Sequence, residues 1–224
     1  MNFVYLLIEV IVIYLLMILF YRFGKKEGLY LYIGLMSSVL AISMFELIDI
    51  FSFQIDIVIP LIMGIFICSN IILQRYGLDE TNKIIKFFTI PYLAVITTIG
   101  FYALIGTSEY TSETGISFNN LFSYDLSNFR IVIGYLLSIG LMLWYNSYMY
   151  YYIRKNKNKL LFSNIGTTLI IQFVESIIFV VISYFGEFDI NVIFSIIIIR
   201  YLLKVIMGII GLIPVNVIIK MKDK

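Results

Sequence analysis

The sequence predicts an all-α fold, a polytopic integral membrane bundle of about seven transmembrane helices with its N-terminus outside and its C-terminus inside. Three observations carry that expectation. The chain is 61% hydrophobic with a mean hydropathy of +0.99, well beyond a soluble domain. Its apolar residues gather into continuous runs of about 20 residues, the length that crosses a bilayer at 1.5 Å rise per residue. The connectors between the runs alternate in charge. Arg22, Lys25 and Lys26 are followed by Glu46, Asp49 and Asp56, then by Arg75, Lys83 and Lys86. Glu109, Glu113 and Asp125 come next, then Arg154, Lys155, Lys157 and Lys159, then Glu187 and Asp189, and Lys220, Lys222 and Lys224 close the chain. Short loops rich in Lys and Arg stay on the cytoplasmic side, so the alternation sets the topology.

In order, the spans read as 2–21, 29–47, 57–72, 84–105, 129–152, 164–185 and 191–217. The first has no basic leader and no small-residue cleavage site, so it reads as a retained span. The runs are continuous rather than alternating, which favours helices over barrel strands of about 10 residues. A helix also satisfies its own backbone within lipid. Pro60 and Pro91 fall inside apolar segments and are candidate kinks, and Pro214 bends the exit of the last span. The longest connector, Gly106–Ser127, reads as a solvated outer loop or a partial lid. Seven spans and short loops use nearly the whole chain, so residues 1–224 read as one domain.

Composition excludes several chemistries. With no histidine the chain has neither a HExxH metal site nor a Ser–His dyad. Cys68 stands alone, which removes intramolecular disulfides and multi-cysteine metal sites. No GxxxxGK[ST] signature is present, so nucleotide is not hydrolysed by that route. The chain reads as a non-enzyme that needs no cofactor. Its net charge of +2 is sorted by side, which reports orientation and not nucleic-acid binding.

The informative residues are those that hydrocarbon penalises, namely Glu9, Glu175, Arg200 and Lys204. On the helical period Asn164, Thr168, Gln172 and Glu175 share one face of the sixth span, a polar stripe suited to a bundle interior. Arg200 and Lys204, four apart, share a face of the seventh. Each costs about 2.5–3.5 kcal/mol at a span centre, against roughly −4.5 to −9 kcal/mol from fifteen Val, Ile, Leu and Phe residues between Val192 and Ile213. That helix inserts only marginally alone and needs the bundle. Antiparallel packing through the turn at Gly186–Ile190 sets Glu175 and Lys204 at similar depth, where they are expected to pair. Trp144 with Tyr148, Tyr150, Tyr151 and Tyr152 reads as an interfacial aromatic belt.

These segments resemble a known family. FGKKEGLYLYIGL at Phe23–Leu35 is similar to the FGKEGLY segment of the queuosine precursor transporters, also called vitamin uptake transporters. NIILQRYG at Asn70–Gly77 matches the Tyr-Gly exit of that family's third span, and GTTLIIQFVESIIF places Thr167, Thr168, Gln172 and Glu175 on its sixth. Arg130 and Gly134 match the start of its fifth span, and Tyr201, Lys204 and Pro214 its last. The chain departs from the pattern at Asn70, Gln74 and Asn146, which stand where the family carries acids. It departs also at Leu143 and Ser43, which replace glutamines, and at Ser163, which replaces an arginine.

The resemblance implies a multi-pass protein of the bacterial cytoplasmic membrane that imports a 7-deazaguanine base such as preQ0, preQ1 or queuine. It implies a midplane site between the third, fifth, sixth and seventh spans, worked by alternating access. Its residues would be Glu175, Gln172, Thr168, Asn164, Asn70, Asn146, Lys204 and Arg200. Glu175 could accept a bidentate guanine-type edge. The partners are the small-molecule substrate and the lipid bilayer, with a homodimer allowed. The alternative is a substrate-binding membrane subunit of a multi-component vitamin importer, energised by separate ATPase proteins.

Overall fold

A computed structural model describes residues 2–50, 53–104, 113, 116, 125–157 and 160–221. Seven helices and one hairpin make up its named elements: α1 (Asn2–Ser43), β1 (Leu47–Ile50), β2 (Phe53–Asp56), α2 (Ile59–Tyr76), α3 (Thr81–Leu104), α4 (Leu126–Lys157), α5 (Leu160–Tyr184), α6 (Ile190–Ile210) and α7 (Leu212–Lys220), with a 3-10 turn at Leu78–Glu80. The architecture is an all-α bundle. Five of the helices are long and apolar enough to cross a membrane.

α1 holds the first two expected spans. Lys25 breaks it with φ at 49°, and the legs on either side fold against each other. The Tyr32 hydroxyl of one leg donates to the Ile13 carbonyl of the other at 3.2 Å, and Phe20 meets Tyr32 edge-on. Gly28 makes this closure feasible, because a Cβ there would strike the Phe20 carbonyl. The first leg turns Val4, Ile8, Ile11, Leu15 and Leu19 outward, and the repeat of three and four residues is a lipid-facing stripe.

α2 is the core helix. All residues from Ile59 to Leu73 are buried, so it is enclosed on every side, wrapped by α1, α4, α6 and α7. Pro60 sits at its first turn, where a missing N–H costs nothing, so the expected kink is instead a helix start. Pro91 does lie inside α3. The last expected span is two helices. α6 ends at Gly211, and Pro214 in the first turn of α7 has no N–H to continue the ladder. Tyr14 donates to the Met207 carbonyl at 2.8 Å and stitches the break to α1.

The β-hairpin was not expected. Leu47 pairs with Asp56 and Asp49 with Gln54 in an antiparallel register, in a stretch that reads by sequence as a connector. It defines one end of the bundle, together with the Phe185–Phe188 turn and Asn2, whose amide donates to the Asp49 carbonyl at 2.9 Å. The opposite end carries the basic residues. There Lys26 donates to Glu80 at 2.5 Å, Tyr30 bonds the same carboxylate, and Lys83 lies 3.2 Å from it. Burial opposes ionisation of Glu80, but these three donors outweigh it and hold its pKa down at about 2. Arg75, also at this end, bonds the Tyr21 hydroxyl and the Ile219 and Met221 carbonyls, and so caps α7. Trp144, Tyr148, Tyr151 and Tyr152 are exposed near this basic end, while Tyr150 turns inward and donates to Gln74 Oε1 at 2.7 Å. Most of Gly106–Ser127 lies outside the described residues, and with it the lid reading of that connector.

Candidate functional site

α4 and α5 pack antiparallel with little between them. Gly134 allows this, since a Cβ there would strike Ser183 and press on Phe179 at 3.3 Å. The close approach brings Ser138 of α4 against Glu175 of α5, where its hydroxyl donates to Oε1 at 3.2 Å. α6 lies along the other flank of α5. Its Arg200 and Lys204, one turn apart, both reach Glu175. Arg200 Nη2 is 3.2 Å from Oε1, Lys204 Nζ bonds Oε2, and Lys204 also donates to Ser176 at 3.2 Å.

A fourth charge completes the cluster. Asp56, the last residue of β2, pairs with Arg200 Nη1 and accepts the Tyr184 hydroxyl at 3.2 Å. All four charged side chains are 0–1% exposed. Two carboxylates and two cations sum to zero, and neutrality is what makes such burial tolerable. The guanidinium lies over the Phe179 ring at 3.9 Å and accompanies the Tyr135 ring at 5.3 Å, so its planar face is covered by π-systems.

A second polar cluster lies two turns along α4, about 12 Å of helix rise from Ser138 towards the basic end. Asn146 donates to Asn70 Oδ1 at 2.8 Å and to Ser69 Oγ at 3.2 Å, joining α4 to α2. Gln172 of α5 is buried at 1% exposure. Its position, one turn from Glu175 in the direction of Asn146, puts it between the clusters. Its Oε1 has no hydrogen-bond partner among the described residues. A buried acceptor left open is unusual and calls for an occupant.

The eight residues singled out from sequence thus divide. Glu175, Arg200 and Lys204 meet in the charged cluster, Asn70 and Asn146 meet in the amide cluster, and Gln172 stands between. The side chains of Asn164 and Thr168 lie outside the described residues. Glu9 is half-buried on the first leg of α1 and forms no ion pair among the described residues. Asp56 was missed, because it reads as a connector acid beside Asp49. The one signal was alternation: Gln54 and Asp56, two apart, share a strand face.

Asp56 also opens the stretch that matches a protein-family model described as "Putative vitamin uptake transporter", which covers residues 56–219. The chain belongs to that family. No curated protein and no solved structure matches it. In this family member the match spans every residue of the charged and amide clusters. It leaves out α1, and with it the Phe23–Leu35 segment.

Proposed function

We propose that the chain imports a small heterocyclic nutrient across the bacterial cytoplasmic membrane, and that the nutrient is a 7-deazaguanine base of the queuosine precursor class. One observation carries the reading: a neutral four-charge cluster is buried among α4, α5, α6 and β2, with the open acceptor of Gln172 beside it. Ion pairs in hydrocarbon are expensive and mark substrate or ion paths. A guanine-type edge presents adjacent N–H donors, which a carboxylate takes pairwise and an amide oxygen extends. Glu175 and Gln172, three apart on one helix, offer such a row. Substrate N–H groups would replace the cations at Glu175, releasing Lys204 to Ser176 and Arg200 to Asp56. The amides Asn70 and Asn146 would receive the ring's other edge.

Uptake of labelled 7-deazaguanine bases into cells unable to make them tests this reading. Expression of the chain is expected to restore accumulation, and Glu175→Ala and Lys204→Ala to abolish it. Unchanged uptake in both variants would remove the charged cluster from the path. Reconstitution of the lone chain in liposomes decides between a self-sufficient transporter and a subunit driven by separate ATPases.

A further inference from the structure

At the hairpin end a cavity of about 550 Å³ opens between β1–β2 and α6. That is large enough for a small ring compound. It is not lined by the charged cluster, yet three of its walls lead there. Gln54 lines it, and Asp56 lies two residues further on the same strand face. Ile196 and Ile199 line it, and Arg200 follows them on α6. Phe188 lines it and packs on Tyr184 at 5.5 Å, whose hydroxyl holds Asp56. Each of these three walls therefore leads inward to Arg200 and Asp56.

The cavity's own chemistry is selective. Asp49, Gln54 and Asn191 present side chains that bond no other described residue, and the exposed rings of Phe53 and Phe188 line the cavity beside them. A carboxylate and two amides suit an N–H-rich edge, and a lone carboxylate repels anions. We propose that this cavity is the outer vestibule of the transport path, a binding site for a flat ring with a donor-rich, neutral or cationic edge, and that the Arg200–Asp56 pair is the closed gate at its floor. The proposal rests on the transporter reading above. Opening the gate leaves neither of its partners stranded. Arg200 is shared between Asp56 and Glu175, so it can leave one carboxylate without becoming unpaired. Asp56, freed from Arg200 and from the Tyr184 hydroxyl that orients it in the closed state, turns to the vestibule's water.

The test is thiol labelling of whole cells with a membrane-impermeant maleimide, in a Cys68→Ser background. Ser195→Cys, in the vestibule wall, is expected to react from outside. Ser138→Cys, behind the gate, is expected to resist. Adding Asp56→Asn should speed labelling of Ser138→Cys by about tenfold or more, as the open population grows. Tyr184→Phe, which keeps the ion pair and loosens it, serves as the second variant and should give a smaller acceleration. Ser195→Cys reacting only in inverted vesicles overturns the proposal. So does an unchanged Ser138→Cys rate in either gate variant that still folds, shown by a single cooperative thermal transition above the labelling temperature. In a further arm, 7-aminomethyl-7-deazaguanine should protect Ser195→Cys while guanosine monophosphate should not, and protection by the anion alone overturns the ligand class. The labelling arm uses no substrate, so a failed uptake assay and a failed gate are told apart.

Discussion

Removing one charge from the buried cluster should cost more than removing two. Glu175 meets both cations, with Arg200 Nη2 at 3.2 Å from Oε1 and Lys204 on Oε2. Lys204→Met leaves two carboxylates against one guanidinium, a net negative charge in a 0–1% exposed site. Glu175→Gln leaves two cations against Asp56. Stripping one partner from a buried pair costs about 3–5 kcal/mol. For a chain of this size each kcal/mol moves the melting temperature by about 2–4 °C, so each single variant should fall by roughly 6–20 °C. The double variant Glu175→Gln/Lys204→Met restores neutrality. The amide oxygen it places on α5 can still accept the Ser138 hydroxyl and Arg200, and Arg200–Asp56 stays balanced. Replacing both partners of a buried pair is often close to neutral, so the double variant should melt within about 5 °C of the parent. The assay is thermal unfolding of purified protein in detergent, run as a double-mutant cycle. If the double variant loses the sum of the two singles, the groups do not couple and the cluster is not closed as described. Uptake should be absent in all three. Parental uptake by the stable double variant would reduce the pair to a helix clamp.

Three further perturbations test other joints. Gly64→Ala sets a Cβ within 2.8 Å of Ile13 and against the Tyr32 hydroxyl, and is expected to lower stability by about 1–3 kcal/mol in the same melting assay, where no loss would show that α1 can give way. Arg75→Met removes the cap on the Ile219 and Met221 carbonyls, so limited proteolysis should cut α7 faster than in the parent while leaving α2 intact. Glu80→Gln should lower stability by on the order of 1–2 kcal/mol, a modest figure because Lys83 is well exposed and screened. Because the Glu80 pKa is lowered from 4.5 to about 2, its contribution is fully present above pH 4.5 and fades as pH falls towards 2. The gap between parent and variant should therefore be constant from pH 5 to 8 and close below 4.5, and a gap that widens in acid would refute the assignment.

Much of the architecture was legible because hydrocarbon imposes simple rules. Run length marked α2 to α6, though not the break between α6 and α7, and the basic pair at Lys25 and Lys26 marked the turn that breaks α1. Those rules ignore acids, which is why Asp56 passed as a connector residue. They also ignore short strands, since Phe53–Asp56 runs straight into the apolar start of α2. Three of the four cluster charges were legible by their cost alone. The division into two clusters was not, because a helical face shows what turns inward but not which neighbour meets it. Asn70 and Asn146 each read as a site residue, and the structure has them satisfying one another.

That mutual satisfaction bears on how transport could work. In the closed arrangement the charged cluster balances to zero and Asn146 is held by Asn70 and Ser69. The Gln172 oxygen, between them, is left without a partner among the described residues. A ligand arriving there would gain one free acceptor at once, but bonds to Glu175 or Asn146 must displace ones already made. On the proposed reading, binding would be an exchange of partners, which would keep affinity modest and let the helices part as the bonds are traded. Arg200 would be the pivot of that exchange, because it touches carboxylates on two different elements, β2 and α5. Lysine at this position would hold a single point contact and lose the fork that spans both. Arg200→Lys is therefore expected to fold, since charge is conserved, and to transport poorly, since one cation can no longer hold Asp56 while releasing Glu175. Melting within a few degrees of the parent together with uptake below about a tenth of parental, a loss near 1.4 kcal/mol, is the combination to look for. Full uptake with lysine would show that charge alone is enough and that the fork has no part in the cycle.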